Sequence, residues 1–189
     1  MKKIQICAGS IAALAAAVCM TGCSILPEPR QSRIDYFDLK YPDLIQSRPV
    51  DVEQFVTSTG ERQRMLRRKQ GISMDSSNFH KWMQPAGPLL TRYLRLAFRN
   101  PNQKQPVNRD HCVILCGEVI VFERDGDKAL LGVRYQLKYD RQIYTRTVLI
   151  TEKMAGSKPA AFAEAMSRAA DRFSRTVAAE ISKLPGKRK

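Results

Sequence analysis

The sequence predicts an α+β domain with two layers, in which a largely antiparallel sheet carries two helices on one face. Residues 112–153 contain three strand-like runs separated by short turns, and the second of them alternates strictly between apolar and polar side chains. Residues 84–98 and 159–184 carry apolar side chains at helical spacing. Placing both helices on one face of the sheet is the simplest way to bury both apolar stripes. The expected order is β-β-(β)-α-β-β-β-α.

The strands before the first helix are predicted from shorter patterns. Residues 34–41, "IDYFDLKY", alternate as a half-buried strand does, and residues 50–59, "VDVEQFVTST", resemble a second strand. Residues 61–78 are ambiguous. Short strands over residues 65–69 and 72–74 are expected there, followed by a solvated loop that leads into the helix.

The second half of the chain gives clearer signals. Strands are expected over residues 112–123, 128–139 and 142–153. The Asp-Gly pair in the first turn and the two-residue Asp-Arg turn after the second strand both predict antiparallel hairpins. The long helix over residues 159–184 follows, and its stripe of Met, Phe and aliphatic side chains is interpreted as core.

The N-terminal residues have the composition of a secretory signal. Lys2 and Lys3 precede a run of mostly small apolar residues that is short for a membrane-spanning helix. An uncleaved anchor helix is the alternative. The run ends in "MTGC", which resembles the lipobox of bacterial lipoproteins. That resemblance implies cleavage between Gly22 and Cys23 and acylation of the Cys23 thiol, and Ser24 after it implies export to the outer membrane, facing the periplasm.

These expectations divide the chain into four parts. Residues 1–22 form the signal peptide, residues 23–33 a lipidated, proline-bearing tether, residues 34–184 the folded domain, and residues 185–189 a basic tail.

The chain is strongly basic, with 32 Lys and Arg against 18 Asp and Glu. This balance favours anionic partners. Nucleic acid is not expected for an exported chain, whereas anionic lipid or an acidic protein surface fits the envelope. The most basic run is interpreted as either a solvated face or an electrostatic contact surface. Its basic side chains are Arg62, Arg64, Arg67, Arg68 and Lys69.

No motif for catalysis, phosphate binding or metal binding is present, so neither an enzyme nor a cofactor is expected. Ser and His in "SSNFHKW" (76–82) are interpreted as loop residues. Cys112 and Cys116 lie four residues apart in a predicted strand, about 13 Å from each other, which is too far for a disulfide. We expect them to be buried thiols. A metal site with His111 fails because His111 faces the other side of the strand.

Four segments, in this order, resemble the PqiC-type family of ABC-type transport auxiliary lipoproteins. They are "ILPEPRQSRIDYFDL", "RMLRRKQGISMDSSNFHKWMQPAGPLLTRYLRLAF", "GEVIVFERDGDKALLGVRYQL" and "AFAEAMSRAADRFSRTVAAEI". The resemblance implies a lipid-anchored periplasmic accessory of a system that moves lipids between the inner and outer membranes. Its partners would be an ABC transporter and proteins with MCE domains, and it would itself hydrolyse nothing. A homo-oligomeric ring is an open alternative to a monomer.

Two functions of other classes stay open at this point. One is a structural lipoprotein of a secretion or envelope-assembly machine, which would share the anchor and tether. The other is a periplasmic enzyme or a regulator of cell-wall synthesis.

Replacing the lipobox thiol provides the first test. Cys23→Ala is expected to abolish palmitate labelling and to leave a soluble or retained precursor, because only the thiol can form the thioether. Cys19→Ala is the matched control and should label normally, since bulky Val18 precedes Cys19. Palmitate labelling that persists in Cys23→Ala would contradict this assignment.

Overall fold

The computed structural model describes residues 33–60, 62–69, 71–99 and 112–185. The helices and strands in this part of the chain belong to one compact unit that begins at Ile34. The predicted signal peptide, the acylation site at Cys23, all of the tether except Arg33, and the tail beyond Pro185 lie outside the described residues.

The predicted α+β class is confirmed. The described residues form a mixed sheet of eight strands and two helices. The elements are β1 (Asp35–Phe37), β2 (Val50–Val52), β3 (Val56–Thr57), β4 (Arg64–Lys69), β5 (Ser73–Trp82), α1 (Ala86–Ala97), β6 (Val113–Asp125), β7 (Lys128–Tyr139), β8 (Gln142–Lys153) and α2 (Pro159–Lys183).

The long strand β6 lies at the centre of the sheet. Along one edge it pairs with β7 in antiparallel orientation. Along the other edge it pairs in parallel with β2, β3 and β4 in turn, through the partners Val113, Glu118 and Glu123. The three short strands therefore lie end to end and together act as one interrupted neighbour of β6.

The sheet is mixed: the long ladders β6–β7 and β7–β8 are antiparallel, as predicted, whereas β2, β3 and β4 are parallel to β6. Its main path runs β1-β5-β4-β6-β7-β8, and β1 is parallel to β5. Between the parallel strands β4 and β6 the chain passes through β5 and α1. Parallel pairing needs a long crossover of this kind. Alternation within one strand indicates its faces but not the direction of its partner, so the sequence could not reveal this arrangement.

Strand β5 corrects the prediction, because residues 73–82 form one continuous strand where a short strand and a loop were expected. Its register against β4 shifts between Arg64 and Leu66, where β5 carries extra residues. The Ser77 hydroxyl accepts hydrogen bonds from the amides of Phe79 and His80, at 3.3 and 3.0 Å. This bulge accommodates the extra polar residues without ending the strand.

The first two predicted strands are shorter than expected. After β1 the chain crosses the helical layer, where the Lys40 amide donates to the Ser167 hydroxyl at 3.0 Å and the Ile45 amide to the Ala97 carbonyl at 2.8 Å. The second predicted strand is divided into β2 and β3, and Phe55 between them is fully buried. Burial of this side chain interrupts the pairing that the alternation predicts.

Both hairpins of the β6–β8 meander are confirmed. Gly126 in the first turn has a φ of 57°, a left-handed conformation that glycine adopts without strain. Asp140 and Arg141 both have positive φ in the second turn, as a two-residue hairpin loop with the correct twist requires.

Both helices pack on one face of the sheet, as predicted. The ring of Phe173 on α2 makes edge contacts with Tyr135 of β7 at 5.3 Å and with Phe55 at 6.4 Å. Trp82 of β5 packs between Phe122 and Phe162, at 4.9 and 5.4 Å. These contacts join α2 to β5, β6 and β7 through a single aromatic core.

Two threonine hydroxyls form hydrogen bonds between helix α1 and the segment that contains Phe55 and β3. The Gly87 amide donates to the Thr57 hydroxyl at 2.8 Å, and the Phe55 amide donates to the Thr91 hydroxyl at 2.9 Å. The hydroxyl of Thr57 on β3 thus caps helix α1, because Pro85 at the N-cap position has no side-chain acceptor.

Two glycines are required where backbones approach closely. A Cβ on Gly87 would lie 2.4 Å from the Phe55 carbonyl oxygen, and one on Gly117 would lie 2.3 Å from that of Arg134. We expect Gly87→Ala and Gly117→Ala each to lower the free energy of unfolding by about 1–3 kcal/mol, as overpacking does. The measurement is urea denaturation.

Gly60→Ala is the matched control, since nothing lies within 4 Å of its added Cβ. Equal unfolding midpoints for all three variants would contradict the close approach.

Candidate functional site

The five basic residues of the predicted contact surface lie on β4 or just before it. Arg62, Arg64, Arg67 and Lys69 are exposed, and Arg68 is half-buried. Side chains alternate between the two faces of a strand. Arg67 and Lys69 therefore share the face of the helices, and Arg68 points to the helix-free face. The run therefore supplies positive charge to both faces of the sheet at β4.

Arg68 forms the tightest of these interactions. Its Nε donates to Oε1 of Glu123 on β6 at 2.5 Å, and its Nη1 donates to the Gly71 carbonyl at 3.0 Å. The Glu123 side chain is only 7% exposed. The hydrogen bond from Arg68 to Glu123, and then the charge of that carboxylate, raise the pKa of Arg68 above its usual value. This pair links β4 to β6.

Arg67 and Lys69 share one carboxylate on β5. The Lys69 amine lies 2.9 Å from Asp75 Oδ2, and Arg67 Nη2 lies 3.1 Å from the same oxygen. The hydrogen bond and charge of Lys69, and then those of Arg67, lower the pKa of Asp75. All three groups are well exposed, so solvent screens this cluster. It retains a net positive charge.

A groove of about 360 Å³ separates this cluster from the start of α2. Arg124 spans its end, where Nε donates to the Gly126 carbonyl and Nη1 to the Ser157 carbonyl, both at 2.8 Å. The lining combines basic, polar and apolar side chains. These residues are Met65, Leu66, Arg67, Asp75, Ser77, His80, Arg124, Ser157, Pro159 and Phe162.

Ser77 and His80 do come together in this groove, with Ser77 Oγ 2.8 Å from His80 Nδ1. The same hydroxyl oxygen accepts two backbone hydrogen bonds within the β5 bulge, and the His80 ring packs against Phe37 at 6.1 Å. The pair holds the bulge in shape. A nucleophilic serine would additionally need an oriented base and a site for the developing oxyanion.

The helix-free face of the sheet carries both polar pairs and exposed apolar side chains. Arg134 Nη1 lies 2.7 Å from Glu118 Oε1, and Glu118 also accepts from the Ser58 hydroxyl at 3.0 Å. At one edge, Ile143 and Leu149 of β8 are each 61% exposed. Within the described ranges, β8 pairs only with β7, so its outer edge offers unpaired backbone groups.

The opposite edge carries a second apolar surface, here called the β1-edge patch. Its members are Ile34, Tyr36, Phe79 and Met83, which are 41%, 55%, 48% and 52% exposed. The sequence pattern did not identify this patch, because Phe79 and Met83 were assigned to a loop. The isolated Phe in the polar stretch "SSNFHK" was the available signal.

The two mature-domain thiols sit at the start of β6. Cys112 is buried, whereas Cys116 is half-buried with its Sγ 3.9 Å from Gln136 Oε1. In the described part of the chain these two cysteines form no disulfide, and no cluster of three metal-ligating side chains occurs. His111 lies outside the described residues. None of the described helices combines the length and the hydropathy that crossing a bilayer requires.

Comparison with known proteins gives a match to one family model. A family model described as "ABC-type transport auxiliary lipoprotein component" matches residues 45–178. Two crystal structures share the fold. One, of an uncharacterized protein, has a TM-score of 0.66 at 16% identity and covers 79% of this chain and 99% of that one. The other, from Xanthomonas campestris and of family DUF330, has a TM-score of 0.64 at 19% identity and covers 79% and 95%. No curated protein matches this sequence.

The link between Arg68 and Glu123 generates a stability prediction. Arg68→Ala should lower the urea midpoint more than Arg67→Ala, because Glu123 is almost fully buried while Asp75 keeps Lys69 as a partner. Adding Glu123→Gln to Arg68→Ala should restore part of the loss, since the neutral amide is cheaper to bury. Equal midpoints for the two single variants, or no rescue, would show that the pair is dispensable.

Proposed function

Since the chain belongs to the family of ABC-type transport auxiliary lipoprotein components, we propose that it serves an ABC/MCE-type system that moves lipids between the inner and outer membranes. In this proposal it is the component anchored at the outer membrane, where it receives MCE-domain proteins. The observation that carries the proposal is the extent of the family match, which runs from the segment crossing the helices to most of α2.

The proposed anchor is the acylated Cys23, with the domain facing the periplasm. One acyl chain gives only marginal membrane binding, whereas two or more hold a protein stably. A lipobox cysteine would carry three. About a dozen residues separate Cys23 from β1, and an extended chain spans at most ~3.6 Å per residue. The domain would therefore stay within roughly 40 Å of the bilayer surface.

The proposed docking element is the outer edge of β8. This strand is twelve residues long, and its backbone groups along that edge can pair with an added strand. Ile143 and Leu149 flank a Thr-rich centre, so an incoming strand would gain apolar contact at both ends. A second copy of the chain could pair with the same edge, which would give a homo-oligomer in place of a direct contact with the MCE protein.

The basic residues around β4 supply a second contact in this proposal. Arg62, Arg64, Arg67 and Lys69 are exposed, and Asp75 forms ion pairs with Arg67 and Lys69. These positive charges would attract an acidic protein surface or anionic headgroups. Such charges mainly raise the association rate and weaken at high salt. The protein itself would turn over no substrate, and the ATPase of the transporter would supply the energy.

Co-purification of the native, acylated chain tests the proposal. After mild cross-linking, MCE-domain proteins and subunits of an ABC transporter should co-purify with it. Leu149→Arg should reduce their recovery because it places a charge beside the docking edge. Ile72→Arg is the matched control, since Ile72 is 92% exposed at the turn between β4 and β5, away from β8.

Other partners would assign the chain to another class. Recovery of secretion-ring components would favour a structural lipoprotein of a secretion machine, and recovery of cell-wall synthases a regulator of wall synthesis. Equal recovery of MCE proteins by both arginine variants would keep the transport role but remove β8 as the docking element.

A further inference from the structure

The β1-edge patch is a continuous surface on the helix-free face. Strand β1 is parallel to β5, with Tyr36 opposite Lys81 and Phe37 opposite Trp82. Because side chains alternate, Phe37 and Trp82 turn to the core while Tyr36 and Lys81 turn to the other face. Phe79 and Met83 lie two residues to either side of Lys81 and share its face. Tyr36 is therefore surrounded by two further apolar side chains and one cation.

The exposure of these side chains is fixed by hydrogen bonds. The Ser77 hydroxyl holds the bulge that carries Phe79, as described above. The Met83 amide donates to the Phe37 carbonyl at 2.8 Å, and the Trp82 amide donates to the Gln63 carbonyl at 2.7 Å. Ordered hydrogen bonds thus hold large apolar side chains in contact with solvent. A contiguous exposed apolar patch of this kind marks an interaction site.

The position of the patch indicates a bilayer as its occupant. The patch surrounds the point where the tether enters the fold, about a dozen residues after Cys23, within roughly 40 Å of an acylated thiol. Tyr36, Phe79 and Met83 combine aromatic and flexible apolar groups, which suit the headgroup region of a membrane. Lys81 adds a cation, and Arg64 lies beside it in the β4–β5 register. Strand β1 is only three residues long, which makes it a poor template for an added protein strand.

We infer that the β1-edge patch lies against the lipid surface of the membrane that holds the acyl chains. This inference rests on the acyl anchor of the proposed function and assigns the surface that the anchored domain turns toward the bilayer. The main path of the sheet contains six strands with β1 and β8 at its ends, and adjacent strands lie ~4.8 Å apart. A bilayer contact at β1 therefore leaves β8 about 24 Å away across the sheet, open to a periplasmic partner.

Photo-cross-linking of the full, acylated chain in vesicles tests this inference. Benzoylphenylalanine replaces Tyr36 or Phe79 in two variants and Ile143 or Leu149 in two matched controls. The control positions are exposed apolar residues on the same face of the sheet but at the opposite edge. Vesicles contain phosphatidylethanolamine and phosphatidylglycerol. Mass spectrometry after illumination should find lipid adducts at positions 36 and 79 and none at positions 143 and 149.

The outcomes separate this inference from the anchor itself, because the intact mass of each purified variant reports acylation independently. Absence of lipid adducts at positions 36 and 79 in protein that carries the acyl mass overturns the assignment of the patch and leaves the anchor intact. Equal lipid adducts at both edges also overturn it, since the domain would then have no preferred orientation. Protein adducts at positions 36 and 79 in native membranes would identify the patch as a partner surface instead. A missing acyl mass overturns the anchor and, with it, the premise of this inference.

Discussion

The strand β6 is hydrogen-bonded along both of its edges, and the rest of the fold depends on that pairing. On one edge it holds the β7–β8 hairpin. On the other, the amides of Glu53 and Ser58 donate to the carbonyls of Leu115 and Val119, each at 2.9 Å. Strands of two or three residues cannot persist alone. Pairing with β6 fixes the positions of β2 and β3. Phe55, which lies between these two strands, and Thr57 of β3 then form hydrogen bonds with α1.

This arrangement divides the molecule into a structural face and contact edges. The helices cover one face, where Phe173, Trp82 and their neighbours form the core. On the other face, exposed apolar groups occur at β1 and β8, the two ends of the sheet, among other positions. A domain tethered at one edge can then meet a membrane there and a protein at the opposite edge. The Arg68–Glu123 pair between β4 and β6 links the β1 half of the sheet to the meander.

The sequence predicted those parts of the fold that local patterns determine. The meander and both helices followed from strict periodicity and from turn residues with positive φ, such as Asp140 and Gly126. The parallel pairings of β2, β3 and β4 did not, because they depend on partners far along the chain. Most of strand β5 was missed because its polar residues resemble a loop. Likewise, the basic run was visible, but its division between two faces and the burial of Glu123 require the register.

Native-state hydrogen exchange tests the central role of β6 most directly. If β6 supports the short strands as one unit with the meander, the amides of Glu53 and Ser58 should exchange through the same global opening as the amides of β6. Their exchange should then show the same free energy and the same denaturant dependence. Exchange of Glu53 and Ser58 through a local opening, with a much smaller free energy and no denaturant dependence, would contradict the account.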